Sequence, residues 1–165
     1  MRVSTRAYNP ESGDFERLCR FIIQDNRAKR DYFVWQLGRI VDWKYGLWGE
    51  DKYFPNFFRR NAQLWLDYFD ELIGFAISEN GDNMFHIFIK ESYAPVYEVI
   101  VQWVIEHWGD RDGALSTQVT EKQSAQMRIL EQCGFVSKGI AEVTRTYNLR
   151  EMETTAPVLA EGFER

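Results

Sequence analysis

The sequence predicts an α/β (α+β) domain: a mixed, mostly antiparallel sheet of about six or seven strands flanked by about four helices. Three observations carry this prediction. Between residues 62 and 90, three short apolar runs are joined by tight-turn sequences, the pattern of an antiparallel meander. Val96, Val99, Ile100, Trp103, Val104, His107 and Trp108 then recur every three or four residues, the spacing of one helical face. Finally, the stretch TEKQSAQMRILEQCGFVSKG, residues 120 to 139, runs from a capping sequence through a helical period to an abrupt Gly-Phe stop.

Taken in order, residues 2 to 8 (RVSTRAY) alternate weakly and end at Asn9-Pro10, which predicts a first strand and a turn. From about Asp14, Phe15, Leu18, Cys19 and Ile22 sit at i, i+3, i+4 and i+7, a buried stripe on a first helix. A second helical region, from about Arg27 to Tyr45, carries Phe33, Leu37 and Ile40 at a similar period. It leads into YGLWGEDKYFPNFF, read as an aromatic loop whose rings either cap the core or line a pocket.

The run AQLWLDY places Leu64, Leu66 and Tyr68 on one face of a strand, and LIGFAISE supplies the next. Asn80-Gly81-Asp82 makes a hairpin turn into NMFHIFIK. Pro95 suits the first turn of the long helix, whose apolar face is widened by Val101 and Ile105. Arg111-Asp112-Gly113 turns the chain into the strand ALSTQV, so a β-α-β crossover brings two strands parallel if they are neighbours. In the next helix the Thr120 hydroxyl is expected to accept from the Gln123 amide while the Gln123 side chain reaches back. Ala125, Ile129, Leu130 and Cys133 share a face, and Gly134 takes the left-handed conformation that ends the helix. FVSKG and EVTRTYNL are predicted as the last two strands. Residues 1–150 thus form one domain and 151–165 a tail or interdomain linker.

With 165 residues, 45% of them hydrophobic, the chain is long enough to bury a core. Its net charge of -5 argues against a nucleic-acid surface, which needs clustered cations to neutralise phosphates. The densest basic patch, Arg27, Lys29 and Arg30, is broken by Asp31 and reads as a solvated helix face. Cys19 and Cys133 both fall on apolar helix faces, as buried structural thiols do. No run reaches the ~18 apolar residues of a membrane span, and the N-terminus lacks a signal-peptide core, so a cytoplasmic protein without a membrane partner is expected.

The element order, together with DELIGFAISENG in the hairpin and EQCGF before the last strands, resembles the GCN5-related N-acetyltransferase (GNAT) family. The resemblance implies an acetyl-CoA-dependent N-acetyltransferase acting on a small-molecule or peptide amine. It also implies that the backbone of Ile87, Phe88 and Ile89 faces the pantetheine, and that amides around Tyr93, Ala94, Val96 and Tyr97 face the pyrophosphate. Where the family has Arg-Gly-Lys-Gly-x-Gly, residues 93 to 98 here read YAPVYE, without a glycine and with Pro95 lacking an amide donor. The family's helical Asn falls on Gln123, and its Tyr, the acid for the leaving thiol, falls on Leu130. The tail resembles the linker of tandem acetyltransferases. Hence the alternative is a degenerate, non-catalytic GNAT-like domain serving as a binding or scaffolding half beside a second GNAT domain or in a homodimer.

Acyl transfer to an amine needs a base, since an ammonium is not nucleophilic. His86, on the strand that would flank the thioester, and Glu79, at the end of the preceding strand, are the candidates. His107 closes the long helix, where a cation suits the dipole, and reads as structural. Two histidines and two cysteines show no metal-ligand spacing, and no serine lies in a G-x-S-x-G context.

Overall fold

The computed structural model describes residues 2–29, 35–46 and 50–143. Their centre is a five-stranded sheet in the order β1-β2-β3-β4-β5. The strands are β1 (Ser4–Ala7), β2 (Ala62–Leu66), β3 (Leu72–Ile77), β4 (Met84–Ile89) and β5 (Ser116–Thr117). The first four pair antiparallel, and β5 runs parallel to β4 after the helical crossover. Helices α1 (Asp14–Lys29), α2 (Leu37–Tyr45) and α3 (Phe57–Asn61) precede β2, whereas α4 (Val96–Trp108) and α5 (Ser124–Gln132) follow β4. The sheet is mixed and mostly antiparallel, as the sequence predicts.

Several elements differ from the sequence reading, each for a local reason. The described residues hold five strands and five α-helices, against the expected six or seven and four. FVSKG is not a strand: residues 135–139 leave α5 without joining the sheet. Most of EVTRTYNL, like Phe33 and the cluster at Arg30 and Asp31, lies outside the described residues. The second helical region is divided differently, because α1 continues to Lys29 and α2 starts only at Leu37, after an extended Gln36 (φ -103°, ψ 169°). The aromatic loop contains a 3-10 turn at Glu50–Tyr53 and then α3. Winding there lets adjacent rings reach one core: Phe57 is buried, and Phe58 meets Trp43 edge-on at 5.0 Å. Tyr68 does not extend the β2 face, because the strand ends at Leu66 and the Asp67 side chain takes over the amides of the following turn.

The sheet has two cores, one on each face. Tyr8, Leu18, Phe21, Ile22, Trp35, Ile40 and Trp43 pack with Leu64, Phe75 and Ile77 beneath α1 and α2. Trp65, Ile73, Phe85 and Ile89 pack with Ile100, Val101, Val104 and Leu130 beneath α4 and α5. A bulge lies where β2 meets β3, since Trp65 opposes Gly74 while Leu66 opposes Leu72. It turns Ile73 and Gly74 toward the same core. A side chain at Gly74 would place its Cβ 2.6 Å from Ile89 Cδ1 and 2.7 Å from the Phe88 carbonyl, so the close approach of β3 to β4 leaves room only for glycine.

On α4 the buried face is Val96, Tyr97, Ile100, Val101, Val104 and Trp108. It is centred about a residue away from the expected stripe: Val99 is 58% exposed, and His107 lies outside, stacked on Trp103 at 4.2 Å. The stop at Gly134 is as predicted. Gly134 has φ 91°, its amide donates to the Glu131 carbonyl, and the Phe135 amide donates to the Leu130 carbonyl, a Schellman closure. Only half of the start forms as predicted. Gln123 Oε1 accepts from the Thr120 amide at 2.9 Å, but the Gln123 amide donates to the Thr120 carbonyl instead of its hydroxyl, and Ala125 is exposed.

Candidate functional site

β4 is the strand on which the two cores and the candidate chemistry meet. Along its β3 side it pairs from His86 to Ile89, but it pairs β5 only through Met84 and Phe85. The Lys90 amide donates to the Ile73 carbonyl on the β3 side. Because antiparallel strands alternate their bonding direction, the N–H and C=O groups of His86 and Phe88 also face β3, whereas those of Ile87 and Ile89 face the other edge. The Ser116 amide, which donates to the Asn83 carbonyl, confirms the phase from the β5 side. Beyond Phe85, therefore, β4 presents the backbone of Ile87 and Ile89 to the space from which β5 has departed. The Phe88 backbone is turned away from it, and its ring stacks on Phe75 at 4.6 Å.

Beyond Ile89 a 3-10 turn, Glu91–Tyr93, leads through Ala94 and Pro95 into α4. The amides of Tyr93, Ala94 and Tyr97 are already engaged, donating to the carbonyls of Lys90, Glu91 and Ala94. The amides of Val96 and Glu98 are left as the donors of the first turn of α4, where the helix dipole favours an anion. Val96 and Tyr97 bury their side chains in the second core, and burial raises the Tyr97 hydroxyl pKa well above its ordinary value. The Tyr93 hydroxyl donates to Asp67 Oδ2 at 2.9 Å, and Ala94 is exposed. Gln123 is engaged by Thr120 at the start of α5, while Leu130 packs in the core.

His86 lies on the opposite face, buried beside Trp35 with ring centroids 5.4 Å apart. Burial, helped by the positive Arg39, pushes its pKa down to about 4 against the opposing pull of Glu79 and Asp82. The imidazole is therefore neutral at physiological pH, and the same burial disfavours its protonated form. Glu79 is clasped by Arg39, whose Nε lies 3.1 Å from both carboxylate oxygens and whose Nη2 lies 2.6 Å from Oε2. Arg39 also covers the Trp35 ring at 4.9 Å. Lys52 is buried nearby, and desolvation lowers its pKa although Glu79 and Asp42 pull the other way.

The structure thus brings His86 and Glu79 together on one side of β4, with the Ile87 and Ile89 backbone at its edge and Tyr93 to Tyr97 at its end. Arg39 and Trp35 complete the His86 surroundings, Lys52 acts on Glu79, and all three escaped the sequence reading. Arg39 and Glu79 are 40 residues apart, and nothing in either local pattern announces the pairing. The two cysteines are half-buried free thiols on opposite faces of the sheet, and among the described residues no His, Cys, Asp and Glu cluster is suited to a metal. Two surface grooves of about 330 Å³ lie away from His86, one between Arg6 and Arg59, the other between β1, Trp65 and the first turn of α4. No described helix is long and apolar enough to cross a membrane.

No protein-family model and no curated protein sequence matches the chain. Among solved structures, a GCN5-related N-acetyltransferase from Sphaerobacter thermophilus is similar over 80% of this chain, with a TM-score of 0.56 and 18% identity. This chain spans 42% of that protein's length. An integron cassette protein from the mobile metagenome of V. cholerae is similar over 90% of this chain and 94% of its own, with a TM-score of 0.48 and 11% identity. The fold is accordingly that of the GCN5-related N-acetyltransferases.

Proposed function

We propose that the protein is an N-acyltransferase that uses acetyl-CoA to acetylate a small-molecule or peptide amine in the cytoplasm. The observation that carries this reading is the edge of β4 at Ile87 and Ile89, which no strand among the described residues pairs, next to the buried neutral imidazole of His86. Outward N–H and C=O groups on a strand edge suit the amide-containing pantetheine arm, which extends the sheet as a strand would. The amides of Val96 and Glu98 fit a phosphate less fully than a glycine loop does, because Pro95 gives no donor and the Glu98 carboxylate is close by.

In this reading the thioester supplies an activated acetyl group. His86 takes the proton that the acceptor amine sheds as its nitrogen bonds to the acetyl carbon and the carbon–sulfur bond breaks. Solvent protonates the departing thiolate, since Leu130 carries no acid. Arg39 fixes Glu79 and keeps positive charge beside His86, so Glu79 serves to hold Arg39 in place rather than to accept the proton.

The loop without glycine and Leu130 favour a second reading, a non-catalytic GNAT-like domain that binds or scaffolds beside a second domain or a second copy. Calorimetric titration with acetyl-CoA separates the two. The enzyme reading expects saturable binding below millimolar ligand, thiol release with an amine panel, and a roughly 100-fold lower kcat in His86→Gln with KM for acetyl-CoA unchanged. Absence of binding at millimolar acetyl-CoA would leave only the second reading.

A further inference from the structure

Lys52 sits outside the acyl-transfer scheme, and its setting is unusual for a lysine. It belongs to the 3-10 turn Glu50–Tyr53, at the surface of the protein: Tyr53 is 79% and the following Phe54 65% exposed. Lys52 is only 8% exposed. Its side chain therefore turns inward, toward Asp42 on α2 and Glu79 beyond β3, the two carboxylates whose charge acts on it.

A lysine is almost never buried unless a carboxylate or several acceptors meet its ammonium. None does so among the described residues. Lys52 donates no hydrogen bond and forms no ion pair with either carboxylate, and Glu79 is already committed to Arg39, whose Nη2 lies 2.6 Å from its Oε2. The nitrogen is nevertheless not sealed in. The described side-chain polar atoms that are both fully enclosed and unpartnered are Tyr8 Oη, Trp35 Nε1 and Trp43 Nε1, and Lys52 Nζ is not one of them. Its stem is thus covered while the unpartnered nitrogen still touches solvent.

Desolvation of this ammonium lowers its pKa, although Glu79 and Asp42 pull the other way. At a given pH more of it is the free amine, which carries the nucleophilic lone pair, than of a fully solvated lysine. Conversion to an amide would remove the charge, and with it the cost of burying an unpaired cation.

We propose that Lys52 is an acylation site that takes its acyl group from small thioesters. The amine nitrogen bonds to the thioester carbonyl carbon, the carbon–sulfur bond breaks, the sulfur leaves as a thiolate, and the proton shed by nitrogen passes to water. The donor needs no binding site of its own, so the assignment stands apart from the acyl-CoA reading. Acylation would also withdraw one of the two cations that act on Glu79 and leave that carboxylate to Arg39.

The test exposes the whole folded chain to S-acetyl-N-acetylcysteamine, a small uncharged thioester, and follows each lysine by mass spectrometry of proteolytic fragments across a pH series. Lys138, exposed on the same chain, is the internal reference. At about pH 7.5 Lys52 is expected to be acetylated about 5-fold faster than Lys138, with a rate that levels off at lower pH. A rate equal to or below that of Lys138 overturns the site. Lys52→Met supplies a second measurement, since it keeps most of the apolar stem and removes the charge. Its thermal midpoint should lie above that of the wild type; a lower one would mean that the ammonium is paired in solution, which also overturns the proposal.

Discussion

The two faces of the sheet bury comparable apolar layers but treat polar atoms differently. Under α4 and α5 the core is aliphatic and aromatic, with Ile73, Phe85, Ile100, Val101 and Val104 at 0% exposure. Under α1 and α2 the core encloses His86 and Lys52, closes over the Arg39–Glu79 pair, and buries Tyr8 Oη, Trp35 Nε1 and Trp43 Nε1 without a hydrogen-bond partner. An unpartnered buried polar atom opposes folding, whereas a packed aliphatic one supports it. The α4 face therefore serves mainly to hold the sheet, and the α1/α2 face sacrifices some stability to keep ionisable groups beside β4.

Mutations sharpen this contrast. The largest effect is expected on the α4 face, where Ile100→Ala should lower the unfolding free energy by about 3 kcal/mol, through lost transfer energy and the cavity left behind. Denaturant titration measures it, and a loss below about 1 kcal/mol would contradict a tightly packed face.

The next effect is pH-dependent. His86 has a folded pKa of about 4 against an ordinary 6.5, so the folded state binds fewer protons than the unfolded chain between those values. Its cost is absent above pH 6.5 and grows as the pH falls toward 4. On this account alone the protein should be about 2 kcal/mol less stable at pH 5 than at pH 8. His86→Gln should flatten that part of the profile, and an unchanged slope between pH 6.5 and 5 would show that His86 is not held neutral.

The smallest effect should have the opposite sign. Tyr8→Phe removes a buried hydroxyl with no partner while keeping the edge-on contact with Trp43 at 5.2 Å. Stability should stay within about 1 kcal/mol of the wild type or rise slightly. A larger loss would mean that the hydroxyl is bonded in solution and that the two faces do not differ in unpartnered polar atoms at Tyr8.

Much of the fold was legible because its signals are local. The meander, the long helix and the Gly134 stop each follow from periodicity or from a single residue's conformational freedom. The helical face of α4 was misplaced by about a residue because Val99, Trp103 and His107 are as apolar or amphipathic as the residues that are buried, and spacing alone cannot rank them. The absent FVSKG strand shows a further limit, since a short run of strand-forming residues becomes a strand only when a neighbour offers it an edge.

The sequence by itself determined the three-strand meander, the long helix, the stop at Gly134, and that His86 sits on a strand. Those properties depend on neighbours within a few residues. The tertiary structure alone decided that β4 leaves β5 after Phe85, that Arg39 clasps Glu79 across 40 residues, and that Tyr93 anchors the Tyr68–Phe69 turn. Strand register and side-chain pairing of that kind arise from packing elements distant in sequence, and no local period encodes them.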